Sequence, residues 1–80
     1  MIYEFNNYKP VIHESSFIHE LAAVTGNVII GHNVEIGSNS TILPVYICPG
    51  TVVGAGSVVT KNIKKKGIYA GNHAKFLRKI

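Results

Sequence analysis

From Ile12 onward the apolar positions of the chain recur every six residues. The segments read IHESSF, IHELAA, VTGNVI, IGHNVE, IGSNST, ILPVY, ICPGTV, VGAGSV and VTKNIK, and every one of them opens with Ile or Val. Isoleucine and valine fill 20 of the 80 positions, so nine such openings would arise by chance only roughly four times in a million. A period of six fits neither the 3.6 of an α-helix nor a simple strand alternation. It describes a repeated unit in which a short strand is followed by a turn.

The fifth position of the repeat is restricted too. Ser16, Ala22, Val28, Val34, Ser40, Thr51, Ser57 and Ile63 are mostly small or β-branched. A bulky first position and a compact fifth position describe the inside of a narrow prism. Three hexads per turn would stack Ile12, Ile30 and Ile47 on one face, Ile18, Ile36 and Val53 on a second, and Val24, Ile42 and Val59 on a third. One segment, ILPVY, is a residue short. If Val45 takes the inward fifth position and Tyr46 points out, the frame resumes at Ile47.

Repeats of the form [LIV]-G-x-x-[STAV]-x resemble the hexapeptide repeats of left-handed parallel β-helices. The resemblance implies an all-β fold, a left-handed parallel β-helix of about three coils, as a single domain over residues 1–80. Residues 1–11 form a lead-in, 12–64 the coils, and 65–80 a basic tail. Within the tail, Asn72 suits a helix N-cap, and AKFLRK is expected to form a short C-terminal helix whose Phe76 and Leu77 cover the open end of the core. Where the family pattern reads GNPAK this chain has His73, which weakens the start of such a helix.

Charge is divided along the chain. Glu4, Glu14, Glu20 and Glu35 are the only acids, and only Lys9 among the bases accompanies them in the first half. Lys61, Lys64, Lys65, Lys66, Lys75, Arg78 and Lys79 lie in the second half, which has no acid. The formal net charge is +4, and the C-terminal end should attract anions. No aromatic stacking platform accompanies these bases, so the tail reads as a solvated cap and no nucleic-acid partner is expected. The single cysteine, Cys48, excludes an internal disulfide and fits a reducing compartment. No apolar run is long enough for a membrane span and the N-terminus does not read as a secretory leader, so a cytoplasmic protein without a membrane partner is expected. A prism this small gains too little from its core alone, which favours an oligomer.

The stretch VGAGSVVTKNI, from Val53, followed by GIYAGNHAKFLRKI, resembles the last coil and tail of hexapeptide-repeat acetyltransferases that use acetyl-CoA. The resemblance implies that acetyl-CoA binds as co-substrate. The amide of Ala55 would contact its pantetheine arm between two small glycines. Thr60 and Lys61 would meet the adenosine phosphates, and Arg78 with Lys75 the ribose phosphate. It further implies a homotrimer, and transfer of acetyl to a hydroxyl or amine with a histidine as general base. His13, His19 and His32 are the candidates. His32 is the best placed, because a corner histidine at a subunit interface would sit opposite acetyl-CoA on the adjacent chain.

The first part of the chain, YKPVIHESSFIHELAAVTGNVIIGHNVEIG, resembles the N-terminal coils of gamma-class carbonic anhydrase-like proteins. Those enzymes hold zinc or a related metal with three histidines across a subunit interface. His32 matches the first histidine of their IGHNxxxH segment, but Gly37 stands at the second and the third has no counterpart. No metal ligand is therefore assigned, although coil stacking would bring His13 near His32 with Cys48 on the next coil. Two alternatives stay open beside the acetyltransferase reading: a catalytically inert trimeric scaffold, and a metal-binding relic of the carbonic anhydrase type.

Overall fold

The computed structural model describes residues 1–80. Twelve short strands follow one another: β1 (Ile2–Tyr3), β2 (Val11–Ile12), β3 (Phe17–Ile18), β4 (Ala23–Thr25), β5 (Ile29–Ile30), β6 (Glu35–Ile36), β7 (Thr41–Ile42), β8 (Tyr46–Ile47), β9 (Val52–Val53), β10 (Val58–Val59), β11 (Ile68–Ala70) and β12 (Lys75–Arg78). They sort into three sheets, the faces of a prism. The first face is β2-β5-β8, the second β3-β6-β9-β11-β12, and the third β1-β4-β7-β10. All pairings are parallel except β11 with β12. This is the left-handed β-helix of hexapeptide repeats, with about three coils.

The register follows the sequence period. Ile12 pairs with Ile30 and Ile30 with Ile47; Ile18 with Ile36 and Ile36 with Val53; Val24 with Ile42 and Ile42 with Val59. From Val24 onward every first-position side chain of the hexads through Val59 is fully buried, whereas Ile12 and Ile18, at the open end of the prism, are only partly covered. The fifth position closes the interior at the corners through Ser57, whereas Ile63 shifts register and pairs with Ile47 on the first face. The serines of the fifth position are useful at the corners because a buried hydroxyl satisfies a turn carbonyl that the strands leave unpaired. Ser40 Oγ donates to the Gly54 carbonyl at 3.0 Å and Ser57 Oγ to the same carbonyl at 2.6 Å.

Corners turn at the fourth position. Asn33, Asn39, Gly50 and Gly56 hold it with positive φ, the left-handed region that asparagine and glycine enter most readily. The second position is constrained by stacking: a Cβ on Gly37 would lie 2.7 Å from the Ala55 nitrogen on the coil above. The shortened rung ILPVY lacks its fourth-position residue. Val45 nevertheless turns inward, Tyr46 turns out, and Ile47 resumes the core in register with Ile30. A side chain takes over the missing backbone hydrogen bond, since the Tyr46 amide donates to Asn62 Oδ1 at 2.9 Å.

The tail departs from expectation. AKFLRK forms no helix: Lys75–Arg78 is strand β12, antiparallel to β11. A segment of this length nucleates a helix poorly in water. The edge of β11 offers it a row of unpaired backbone groups instead. Asn72 consequently caps no helix. Phe76 packs edge-on against Tyr69, with centroids 5.5 Å apart, and Lys65 Nζ sits 4.6 Å above the Phe76 ring. Leu77 does not cover the core and is 60% exposed.

Candidate functional site

Each corner of the prism collects one stack of turns. Corner 1, between the first and second faces, carries His13, His32, Cys48 and Lys64 to Lys66. Corner 2, between the second and third, carries His19 and Ala55, with Gly71 above. Corner 3, between the third and first, carries Asn27, Pro44, Thr60, Lys61 and Asn62. The expected site residues are thus dispersed: His32 at corner 1, Ala55 at corner 2, Thr60 and Lys61 at corner 3. Strand β12 runs across the second face, with Lys75 opposite Ala70 near corner 2 and Arg78 opposite Ile68 near corner 1. Within one chain, only Lys75 comes to the same edge as Ala55.

At corner 1 the His13 and His32 rings meet edge to face at 5.7 Å. His13 Nδ1 is taken by Ser15, at 2.8 Å from its hydroxyl. His32 Nδ1 lies 3.4 Å from Asn33 Nδ2, and its Nε2 has no partner within the chain. A recess of about 380 Å³ opens beside His32, walled by Asn33, Pro49, Gly50, Lys66 and Ile80. Lys66 has no signal in the sequence as a neighbour of His32; it reaches there because its chain lies over Gly50, where a side chain would collide with it. The Cys48 thiol faces inward and lies 3.3 Å from Thr51 Oγ1. No three His, Cys, Asp or Glu side chains converge anywhere in the chain. Two stacked histidines and an inward thiol do not fit the three-histidine metal set, and no step is derived through a metal.

At corner 2 Ala55 is exposed, and its amide nitrogen packs over Gly37 of the coil below and has no backbone acceptor in the chain. Gly56 beside it faces open space. His19, on the same corner, accepts the Leu21 amide on Nδ1 at 3.1 Å, so its neutral ring carries the proton on Nε2 and is a donor there. Above the last coil, burial and then the neighbouring Cys48 push the Tyr69 phenol above its ordinary range, and its hydroxyl donates to the Lys65 carbonyl at 2.7 Å.

At corner 3, Thr60 and Lys61 are exposed. No acid occurs in residues 41–80 to pair with Lys61 or Lys75. Below them the shortened rung leaves a notch of about 210 Å³, lined by Asn27, Ile29, Pro44, Val45, Tyr46 and Asn62. Sequence reasoning located the missing residue but not the notch, which needs the carboxamides of the coils on either side.

The outward side chains distinguish the faces. Val11, Ile29 and Tyr46 line up on the first face, and Phe17, Glu35 and Val52 on the second. Val11 and Phe17 are more than 60% exposed. On the third face the equivalent residues, Ala23, Thr41 and Val58, are smaller and half-buried. No helix is long and apolar enough to cross a membrane.

Residues 9–44 match the bacterial transferase hexapeptide (six repeats) family. Over 55 residues the chain is 46% identical to a protein of Lysinibacillus sphaericus named probable macrolide acetyltransferase, an alignment covering 68% of this chain and 31% of that one. The chain spans about a third of the length of the curated relatives it matches. The crystal structure of a maltose O-acetyltransferase from Clostridium difficile 630 superposes with TM-score 0.60 at 26% identity, over 98% of this chain and 58% of that one. A hexapeptide transferase family protein from Anaplasma phagocytophilum superposes with TM-score 0.60 at 16% identity, over 100% of this chain and 84% of the other, a likeness of fold. Repeat, register and relatives agree: the chain belongs to the hexapeptide-repeat, left-handed β-helix superfamily, and within it resembles the acetyltransferases.

Proposed function

We propose that this chain is an acetyltransferase-type module that binds acetyl-CoA between neighbouring copies of a cyclic homotrimer, for transfer of acetyl to a hydroxyl or amine acceptor. The observation that carries the reading is the pairing of two outer faces that expose large apolar side chains, Val11, Ile29 and Tyr46 on the first and Phe17 beside Glu35 on the second, with site residues dispersed over different corners. A ring closed around corner 1 packs the first face of each chain on the second face of the next. That packing covers Val11, Ile29 and Tyr46 on one side and Phe17, Glu35 and Val52 on the other, and leaves the smaller side chains of the third face outside. It also sets corner 3 of one chain across a groove from corner 2 of its neighbour.

Such a groove is lined on one side by Thr60 and Lys61 and on the other by Ala55 and Lys75. A thin amide-bearing arm fits the exposed backbone at Ala55 between Gly54 and Gly56, and unpaired ammonium groups fit phosphates. The acetyl thioester supplies the activated acyl group when the co-substrate is bound. A backbone amide without an acceptor in the chain, such as that of Ala55, is the kind of donor that steadies negative charge on a thioester oxygen. His32, expected from sequence as the base, is drawn to the three-fold axis in this packing, so it is given no step. Arg78 likewise lies toward corner 1 and outside the groove.

Calorimetric titration with acetyl-CoA at moderate salt tests the reading. Saturable binding is expected, weakened about a hundredfold by Lys61→Ala combined with Lys75→Ala, because the pair removes two charge-assisted hydrogen bonds to phosphate. His32→Ala should leave the affinity unchanged. Absence of binding heat, with the protein folded and trimeric, would instead favour the inert scaffold.

A further inference from the structure

Charge is sorted by height along the prism. The lowest layer of turns holds Glu14 at corner 1, Glu20 at corner 2 and Glu4 at corner 3. The highest layer holds Lys64, Lys65 and Lys66 at corner 1, Lys75 near corner 2 and Lys61 at corner 3. The turns between them, GHNV and CPGT, GSNS and GAGS, GNV and LPV, contain no acid, lysine or arginine. Of these residue types only Glu35, on the second face, lies outside the two end layers. The cations of the lowest layer are Lys9 and the Met1 amine, and the amine is turned onto the Glu20 and Ala22 carbonyls. Layer steps of about 4.8 Å set the two ends about 15 Å apart, beyond the Debye length of about 8 Å at physiological salt. Within one chain the opposite charges therefore do little for each other.

The lower end is also open. Ile2, Ile12 and Ile18 pair with Val24, Ile30 and Ile36 and form the lowest layer of the core, one from each face. Ile2 is 54% exposed, and Ile12 and Ile18 are only partly covered. Strands β1, β2 and β3 each have a partner on one edge alone. At the upper end the second face likewise stops at a free edge, that of β12, with Leu77 and Ile80 exposed. Free edges and an uncovered apolar layer are a template for another chain. Charge decides which end of a second copy fits. Its lower end would set acid on acid at every corner, whereas its upper end brings a lysine to each.

We propose that the lower end of the prism docks head to tail on the upper end of a second copy of this chain. Corner on corner, Glu14 meets Lys66, Glu20 meets Lys75 and Glu4 meets Lys61, while β3 lies along β12 and the isoleucine layer is covered. The contact joins two different surfaces and does not close, so copies add in a row. It needs neither acetyl-CoA nor the trimer, because the chains of a ring closed around corner 1 all point one way and rings stack by the same ends. Exposed ion pairs are weak and screened, so rows form at high concentration and low salt and the base particle stands alone at moderate salt.

The test is sedimentation velocity of the whole chain, without acetyl-CoA, at concentrations up to about 1 mM. Ionic strengths of about 0.02 M and about 0.3 M give Debye lengths of about 20 Å and about 6 Å. At low salt, successive multiples of the smallest particle are expected, growing with concentration; at high salt, the smallest particle alone. Three exposed pairs amount to about a tenfold difference in association. Glu4→Lys, Glu14→Lys and Glu20→Lys together should remove the multiples at both salts with the circular dichroism unchanged, since all three sites are exposed. Direction is read from disulfides formed at low salt under oxidising conditions. Glu20→Cys combined with Lys75→Cys should give a ladder of linked multiples, and either substitution alone none. The two sites are too far apart to bridge within one chain, and Cys48 is buried. Only the smallest particle at low salt, growth that stops at a doubling, or linked pairs from Glu20→Cys alone would overturn the proposal. So would multiples that strengthen with salt or survive the three lysines. Failure of acetyl-CoA to bind leaves these outcomes untouched, so the two readings fail separately.

Discussion

An aspartate in place of Ile36 is expected to leave no folded protein, seen as loss of the β-sheet circular dichroism signal and of any cooperative unfolding transition. Ile36 is 1% exposed and stacks between Ile18 and Val53 on the second of the three coils. Truncation to alanine there would already cost about 2–5 kcal/mol, from lost transfer and the cavity left behind. A carboxylate adds the cost of a polar group with no partner, since the interior around it is Val, Ile and small residues. A domain of 80 residues has only about 4–12 kcal/mol in total. Each coil is held by the coils on either side of it, so losing the middle one removes the support of both neighbours. Ile18→Asp, at the partly open first coil, should be milder and retain a measurable transition.

The second large effect concerns assembly. Phe17→Asp combined with Ile29→Asp places one carboxylate on each of the two faces proposed to pack together. Both positions are largely exposed in the single chain, at 62% and 48%, so the coils should fold as before, with an unchanged far-ultraviolet spectrum. In a ring, three copies of each carboxylate would be buried against apolar side chains, at several kcal/mol per charge. The expected result is a monomer by light scattering, together with loss of acetyl-CoA binding, because Lys61 and Ala55 no longer face each other. A variant that stays trimeric would place the interface on other faces. A monomer that still binds acetyl-CoA with full affinity would place the site within one chain.

Much of this architecture can be counted from the sequence, because in a β-helix the register is the repeat length itself. Ile12, Ile30 and Ile47 stack because they are separated by three segments, and the short ILPVY changes that separation without changing the face. Val45 turning inward follows from the same count. The tail is different in kind. KFLR has no repeat to place it, and its strand depends on the free edge of β11, which lies outside the hexads. Local preference near Asn72 points to a helix; a non-local edge prevails. The candidate site shows the same division. The types of residue are legible in GAGSVVTK, but Ala55 and Lys61 flank one short strand, β10, and diverge to different corners. Motif adjacency therefore does not mean spatial convergence. The notch is announced by a missing residue, yet its polar lining comes from Asn27 and Asn62, on coils the short rung does not include.

Sedimentation equilibrium followed at the adenine absorbance, with and without acetyl-CoA, tests the central claim that the site is built between copies. The account predicts a particle of about 26 kDa, three times the 8.7 kDa chain, with one acetyl-CoA per chain travelling with it. Because a ligand held between copies stabilises their association, dilution should dissociate the particle less readily when acetyl-CoA is present. Acetyl-CoA travelling with a particle of single-chain mass, or a trimer whose dissociation is indifferent to it, would contradict the account.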